Sequence, residues 1–339
     1  MLKRLGILAL ALALLCAGCA GTAQPEYSCA PAGENRLVVY TSHKEQVYGP
    51  LIKEFQERTG IWVELHTGGT NELLELIAAE AEAPACDVMF GGGVESLEAY
   101  RDYFEPYTCP DVSMIKDTCR SEGDYWTAFS ALPIVLIYNP KLVSPRELTG
   151  WANLLDVQWK GKIAFADPTV SGSSYTALLT LATCLPGDTW ELISRFERNL
   201  DGNILPDSGN VVSAVAEGSA FVGITLEETA LKAQAQGTDI AIVYPGEGTS
   251  AVPDGSALIQ GAPHADNARV FLDFVQSKDV QRLVVSDFFR RSVREDVANP
   301  TTLEPEKELG VIDYDVAWAS SFKSEFVGAW AALVREGGA

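Results

Sequence analysis

From Arg36 onward the apolar positions switch repeatedly between two periods. Leu37-Val38-Val39-Tyr40 is an unbroken apolar run of strand length, after which Tyr48, Leu51, Ile52 and Phe55 recur at helical spacing until Gly60 closes the helix. Ile61 to His66 predicts a second strand, a Gly-Gly turn leads into a helix carrying Leu73, Leu74 and Ile77, and Cys86 to Phe90 forms a third strand ending in Gly91-Gly92-Gly93. This βαβαβ order implies an α/β fold with a mostly parallel sheet. Ala131 to Tyr138 reads as a long buried strand stopped sharply by Asn139-Pro140. Further strands are predicted at Ile163 to Ala166, Ala220 to Thr225, Ile240 to Tyr244 and Ser256 to Ile259. Helices are expected from Ser173 to about Cys184, near Trp190 to Leu200, after Ser208-Gly209-Asn210, through Ala230 to Gln236, and from Asn267 to Ser277. The tail from Tyr314 to Val334 is amphipathic and is expected to pack on the outside.

Ahead of Arg36 the pattern differs. Lys3 and Arg4 precede an apolar run from Leu5 to Leu15, shorter than the ~20 residues a spanning helix needs. A basic start, a short apolar middle and small residues before a break predict a secretory signal peptide over residues 1–18. Ala17 and Gly18 directly before Cys19 look like the lipobox of bacterial lipoproteins, which makes Cys19 the expected lipidation site, although Cys16 stands where Leu or Val is usual. A redox reading of the Cys16 and Cys19 pair would belong beside a folded βαβ unit, not inside a signal. Residues 19–35 lack hydrophobic periodicity and read as a tether.

The formal net charge is -21, so nucleic acid and other polyanions are repelled. A small anion remains compatible with that balance, because loops hold anions through backbone N–H groups and hydroxyls. Export would let disulfides persist. Cys109 and Cys119 flank a short polar stretch and are expected to pair; Cys86 reads as a buried hydrophobe; Cys29 and Cys184 stay open. The chain has three histidines and neither a Gly-x-Ser-x-Gly elbow nor a His-Glu-x-x-His helix, so an enzyme is not expected, and no cofactor is.

Open α/β sheets bind ligands beyond the carboxyl ends of their strands. The residues following the strands are therefore the candidate site. They are Thr41, Ser42 and His43 after the first strand, Gly68, Gly69 and Thr70 after the second, and Gly92 within the glycine run after the third. The later unit supplies Ser171, Gly172, Ser173 and Ser174, then Ser208, Gly209 and Asn210, then Glu227 and Glu228. Small or hydroxyl-bearing loops that open a helix let N–H groups approach an oxyanion closely. Each such loop alone is equally a tight turn or an N-cap; their recurrence at equivalent strand ends points to a site. Glu227 and Glu228 read either as first-turn acids or as acceptors for a ligand's hydroxyl or ammonium groups.

In order along the chain, these stretches resemble the ferric-ion and organophosphate branch of the bacterial extracellular solute-binding proteins that feed ABC importers. The resemblance rests on Val38 to Glu45, Gly68 to Leu73, Asp167 to Tyr175, Tyr244 to Thr249 and Arg290 to Arg294, and runs from about Arg36 to Val297. It implies a type II periplasmic-binding-protein-like clamp of two lobes joined by two crossing strands. Lobe 1 would hold residues 36–132 and 252–300, lobe 2 residues 133–251, with 301–339 packing on both; the crossings would fall near Pro133 and Ala251. The implied protein is an extracytoplasmic monomer, lipid-anchored to the cell membrane, that captures a small anionic solute and delivers it to an ABC permease. A phosphorylated solute, either a sugar phosphate or an aminophosphonate, would use the hydroxyl-rich loops for phosphate and Glu227, Glu228 or Glu247 for hydroxyls or amine, with Arg291 as a further cation. The alternative is ferric iron held by His43, Glu227 and Glu228, although the family's adjacent tyrosines are missing where Glu227 and Glu228 stand, and Gly92 replaces its acid. A hydrolase or a purely structural lipoprotein ranks below both.

Overall fold

The computed structural model describes Gly33, residues 35–299 and residues 303–337. The expected signal peptide, Cys19, Cys29 and all of the tether except Gly33 and Asn35 lie outside the described residues.

Strands alternate with helices as the hydrophobic pattern dictates. β1 (Arg36–Thr41), β2 (Trp62–Thr67) and β3 (Val88–Gly93) are parallel neighbours, separated by helices Glu45–Thr59 and Thr70–Ala79. Gly60 ends the first helix in the left-handed region at φ 72°, its N–H donating to Gln56 O, a conformation that disfavours any residue with a Cβ. Alternation along β1 sends Leu37 and Val39 into one cluster with Phe55 and Phe271, and Val38 and Tyr40 into another with Leu73, Leu74 and Ile77.

β5 (Thr127–Tyr138) is long because it serves two neighbourhoods. Its first half pairs antiparallel with β10 (Ala251–Ile259), with Pro133 opposite Ala251; its second half pairs with β8 (Val222–Leu226) and β9 (Ala241–Val243). β10 in turn joins β3 and the short β4 (Phe104–Glu105). Beyond β8 come β6 (Ile163–Ala166) and β7 (Ile204–Leu205), both parallel to it or to each other, so the sheet reads β2-β1-β3-β10-β5-β8-β6-β7. The second half repeats the two-faced packing: Ile134, Leu136 and Tyr138 meet Trp151 and Phe196, while Val135 and Ile137 meet Val211 and Val215.

Two helices escape the periodicity reading. Val94–Glu98 is too short to show a period, and Lys278–Ser286 follows the preceding helix with a single residue between them. Ser277 separates those two helices and caps the second, its side chain accepting from Val280 N–H at 3.5 Å. The tail forms the helix Val316–Gly337, whose Ala319, Phe326 and Trp330 are buried in the second-half core.

The expected bridge between Cys109 and Cys119 is absent: both are free and buried, as is Cys86, while Cys184 is free and half-buried. Both thiols line one small cavity, Cys109 packing with the cluster around Phe271 and Cys119 with Ile115 and Trp126. Each thiol lies near a threonine hydroxyl, Thr127 for Cys109 and Thr118 for Cys119. A bridge closing so short a loop would contribute about 3 kcal/mol. Adding a reductant is therefore expected to leave the thermal midpoint unchanged, and a drop of several degrees on reduction would restore the bridge.

Candidate functional site

The carboxyl ends of β1, β2 and β3 face those of β6, β7 and β8 across one cleft of about 680 Å3. Ser42 and His43, then Gly68, Gly69 and Thr70, then Gly92 form one wall. Ser171, Gly172 and Ser173, then Ser208 and Gly209, then Glu228 form the other. Residues predicted from unrelated stretches thus meet, and each wall brings helix N-termini: Thr70–Ala79 on one side, Gly172–Cys184 and Glu227–Ala235 on the other. The first N–H groups of a helix have no carbonyl four residues earlier to donate to, so these ends present donors.

Glycine is required where the wall is tightest. Gly92 has φ 99°, and a Cβ there would sit 2.6 Å from Thr70 Cγ2. Ser171 caps its helix by accepting from Ser174 N–H at 3.3 Å, and its Oγ lies 3.1 Å from Ser173 Oγ. At the rim the walls touch: Asn71 Nδ2 donates to Thr169 O at 2.7 Å, and Lys44 Nζ is 3.5 Å from Asp207 Oδ1.

Charges in the cleft are already matched. Arg290 Nη1 donates to Asp254 Oδ2 at 2.7 Å, and Asp254 also accepts from Ser130 N–H and Oγ–H at 2.8 and 2.6 Å. Arg290 Nη2 lies 3.5 Å from Glu228 Oε1, whose other oxygen is 2.9 Å from Lys232 Nζ. Burial pushes the Glu228 carboxyl upward, but Arg290 and Lys232 together outweigh it and hold it below the usual range. His43 is buried against Phe90 and Phe129, with Nε2 3.5 Å from Asp254 Oδ2 and no hydrogen-bond partner. Burial first, then Arg290 and Lys232, drive its pKa well below 6.5, so the ring is neutral at physiological pH.

Four predicted residues do not line the cleft. Thr41 sits beneath it, donating to Phe90 O at 2.7 Å and accepting from His43 N–H. Ser174 donates to Ser171 from behind, and Asn210 leads into the helix Val211–Ala216. Glu227 is committed elsewhere: Arg291 Nε and Nη2 each donate to it at 2.7 Å, as does Tyr244 Oη, and it is 1 % exposed. Arg291 is thereby removed as a ligand cation, and Glu247 caps a turn by accepting from Trp151 and Ala152 N–H. The iron set is not assembled, because Glu227 points to Arg291 while Glu228 points to Lys232. Among the described residues no three His, Cys, Asp or Glu side chains are grouped to hold a metal ion.

The sequence reading missed Arg290, Asp254, Lys232 and Thr176, all of which line the cleft. Asp254 carried a signal, being the one charge in the apolar strand Ala251–Ile259. For Arg290 the signal was ambiguous, since Arg291 beside it was equally eligible.

His43 generates a pH prediction. Its folded pKa lies below the unfolded value of 6.5, so as pH falls through 6.5 the unfolded chain binds a proton that the folded chain refuses, and stability declines. His43→Gln is expected to make the acid limb of the stability curve shallower below 6.5, as read by urea unfolding at several pH values; identical slopes would contradict this burial. Gly92→Ala is expected to destabilise by about 2 kcal/mol through its backbone conformation and its contact with Thr70.

Comparison with known proteins adds what geometry leaves open. The family profile described as "Bacterial extracellular solute-binding protein" matches residues 37–290. Iron uptake protein A1 of Synechocystis sp. is 26% identical over 287 residues, covering 78% of this chain and 77% of that protein. The putative 2-aminoethylphosphonate-binding periplasmic protein of Salmonella typhimurium is 25% identical over 260 residues, covering 74% of this chain and 75% of that one. The structure of the periplasmic binding protein AfuA from Actinobacillus pleuropneumoniae, with exogenous fructose-6-phosphate bound, superposes with a TM-score of 0.82 at 23% identity, covering 89% of this chain and 99% of that one. This likeness establishes a shared fold, the type II two-lobed periplasmic-binding-protein-like clamp.

Proposed function

Since this chain belongs to the bacterial extracellular solute-binding proteins, we propose that its cleft captures a phosphorylated organic solute, a sugar phosphate or an aminophosphonate, for delivery to an ABC permease. The observation that carries this reading is the convergence of Gly69-Thr70 from one wall with Ser171-Gly172-Ser173 from the other, at the N-termini of helices Thr70–Ala79 and Gly172–Cys184. Two helix N-termini with hydroxyls between them suit a phosphoryl group. Neutral donors are needed for that role because Arg290 and Lys232 already face carboxylates. Glu228, an ionised acceptor on the second wall, suits a solute hydroxyl or ammonium group.

The cleft also has room for an organic body attached to the phosphate, at about 680 Å3 within the usual range for small-molecule sites. Ferric iron instead asks for several anionic oxygens around one point, whereas Glu227 serves Arg291. Among the relatives, one is named for iron uptake and another for 2-aminoethylphosphonate binding, and the bound solute in AfuA is a sugar phosphate.

In this reading the lobes are residues 36–132 with 252–300, and residues 133–251, with the hinge where Pro133 pairs with Ala251. Closure brings the two phosphate-facing loops together. Delivery by a monomer anchored through Cys19 completes the proposal.

A thermal-shift panel of hexose phosphates, 2-aminoethylphosphonate, inorganic phosphate and ferric salts tests it. A true solute at ~100 times its Kd adds about 2.7 kcal/mol, which raises the midpoint by on the order of 5 °C. A rise with ferric salts alone would reverse the ranking. Ser173→Ala and Glu228→Ala should each weaken binding by about tenfold or more, since each removes a hydrogen bond to a charged or polar solute group; unchanged affinity in both would move the site.

A further inference from the structure

At the rim, one hydrogen bond joins the two loops that the proposed function assigns to a single phosphoryl group. Asn71, in the first turn of the helix Thr70–Ala79, donates from Nδ2 to Thr169 O at 2.7 Å. Its neighbour Thr70 faces the cleft, while Asn71 itself stands outside the cleft's lining, as does Thr169, two positions before Ser171. Each end of the bond is held by its own wall. Gly69 N–H donates to Glu72 Oε2 at 3.3 Å, closing the start of the first helix. Asp167 Oδ1 accepts from Thr169 N–H at 2.9 Å and from its hydroxyl at 2.8 Å, and Asp167 O accepts from Ser171 N–H at 2.8 Å. The bond therefore sets one braced loop against another. A Cβ added at Gly172 would lie 3.9 Å from Thr70 Oγ1, and one at Gly69 would lie 4.0 Å from Val170 O.

Its place at the rim gives this bond leverage over opening. The helix Gly172–Cys184 runs from the rim toward the crossing strands, where Thr180 Oγ1 lies 2.6 Å from Ser250 Oγ, next to Ala251. At ~1.5 Å per residue, its rim end is ~12 Å from Thr180. A deeper contact between the walls, from the Thr176 hydroxyl to Glu95, sits one helical turn from Thr180, close to the hinge, where rotation displaces it little. The other rim contact, Lys44 with Asp207, spans 3.5 Å between side chains that are 67% and 58% exposed, and exposed pairs contribute little.

Resting on the closing-cleft reading above, we propose that Asn71 is a positioning residue: its bond to Thr169 O latches the two walls and biases the clamp toward closure without touching solute. A net amide-to-carbonyl hydrogen bond shifts such an equilibrium by about two- to tenfold. The latch is reversible, because opening returns the Thr169 carbonyl and the Asn71 amide to water. Asn71 Oδ1 gains most from that return, being buried with no hydrogen-bond partner while the walls touch. The bias matters to binding because apparent affinity scales with the fraction of protein already in the binding-competent form.

The test is small-angle X-ray scattering of the solute-free protein beside Asn71→Ala and Asn71→Asp, with thermal midpoints measured on the same samples. Both variants lack the Nδ2 donor, and Asn71→Asp also sets a carboxylate oxygen against Thr169 O. Each is expected to show a larger radius of gyration, with the closed-to-open ratio of Asn71→Ala reduced about two- to tenfold. The midpoint of Asn71→Asp should hold or rise, since an acid in the first turn complements the helix dipole. That split separates a latch from a merely structural residue, whose loss lowers the midpoint. Profiles that superimpose on that of the unaltered protein, expansion in one variant only, or expansion with a fallen midpoint in Asn71→Asp would each overturn the proposal. Failure of the cleft reading looks different: no solute of the thermal-shift panel raises the midpoint of the unaltered protein, a result that leaves the solute-free comparison intact.

Discussion

β5 and β10 pair with each other at the middle of the sheet path, and that pairing places the two walls of the cleft. Because Pro133 lies opposite Ala251, the strands before and after this point feed different neighbours: β3 and β4 on one side, β8 and β9 on the other. Each half then builds its own pair of hydrophobic clusters. The carboxyl ends of two parallel strand sets are left facing each other, and loops far apart in sequence become opposite walls. Asn71 meeting Thr169 across 98 positions is a direct sign of it.

The cleft so formed treats charge in a particular way. Arg290 and Lys232 are matched by Asp254 and Glu228, Lys44 at the rim faces Asp207, and the histidine is held neutral. Side-chain cations therefore add little net attraction for an anion, while ungrouped carboxylates offer no cage for a hard metal. What remains are the dipoles and N–H groups of facing helices and the hydroxyls of Thr70, Ser171 and Ser173. That combination discriminates by geometry, since N–H groups from two walls reach one phosphoryl group only when the walls are close. Chemistry at the site and motion of the fold are then one problem.

Much of this was legible in the sequence, because periodicity and loop chemistry are local. β1 and the helix ending at Gly60 follow from spacing alone, and the wall residues from Ser42 to Gly92 and from Ser171 to Ser173 follow from their places after strands. The failures share a different cause. Glu227 and Glu228 are neighbours, but consecutive helical residues point about 100° apart, so one faces the cleft and the other the interior where Arg291 waits. Arg290 and Arg291 also divide between cleft and core, but on non-helical chain after the helix ending at Ser286, where Arg291 bridges Ala131. Cys109 and Cys119 are near in sequence yet packed into separate clusters. Which way a side chain points is decided by tertiary partners, and a single sequence does not name them.

The central claim is that backbone donors from both walls grip the same phosphoryl group. Amide 1H–15N correlation spectra recorded while a hexose 6-phosphate is added test it most directly, because an N–H that begins donating to an anion moves downfield. The account predicts that Thr70, Gly172 and Ser173 shift together and saturate at one solute equivalent. Shifts confined to a single wall, or falling on surfaces away from these residues, would contradict it.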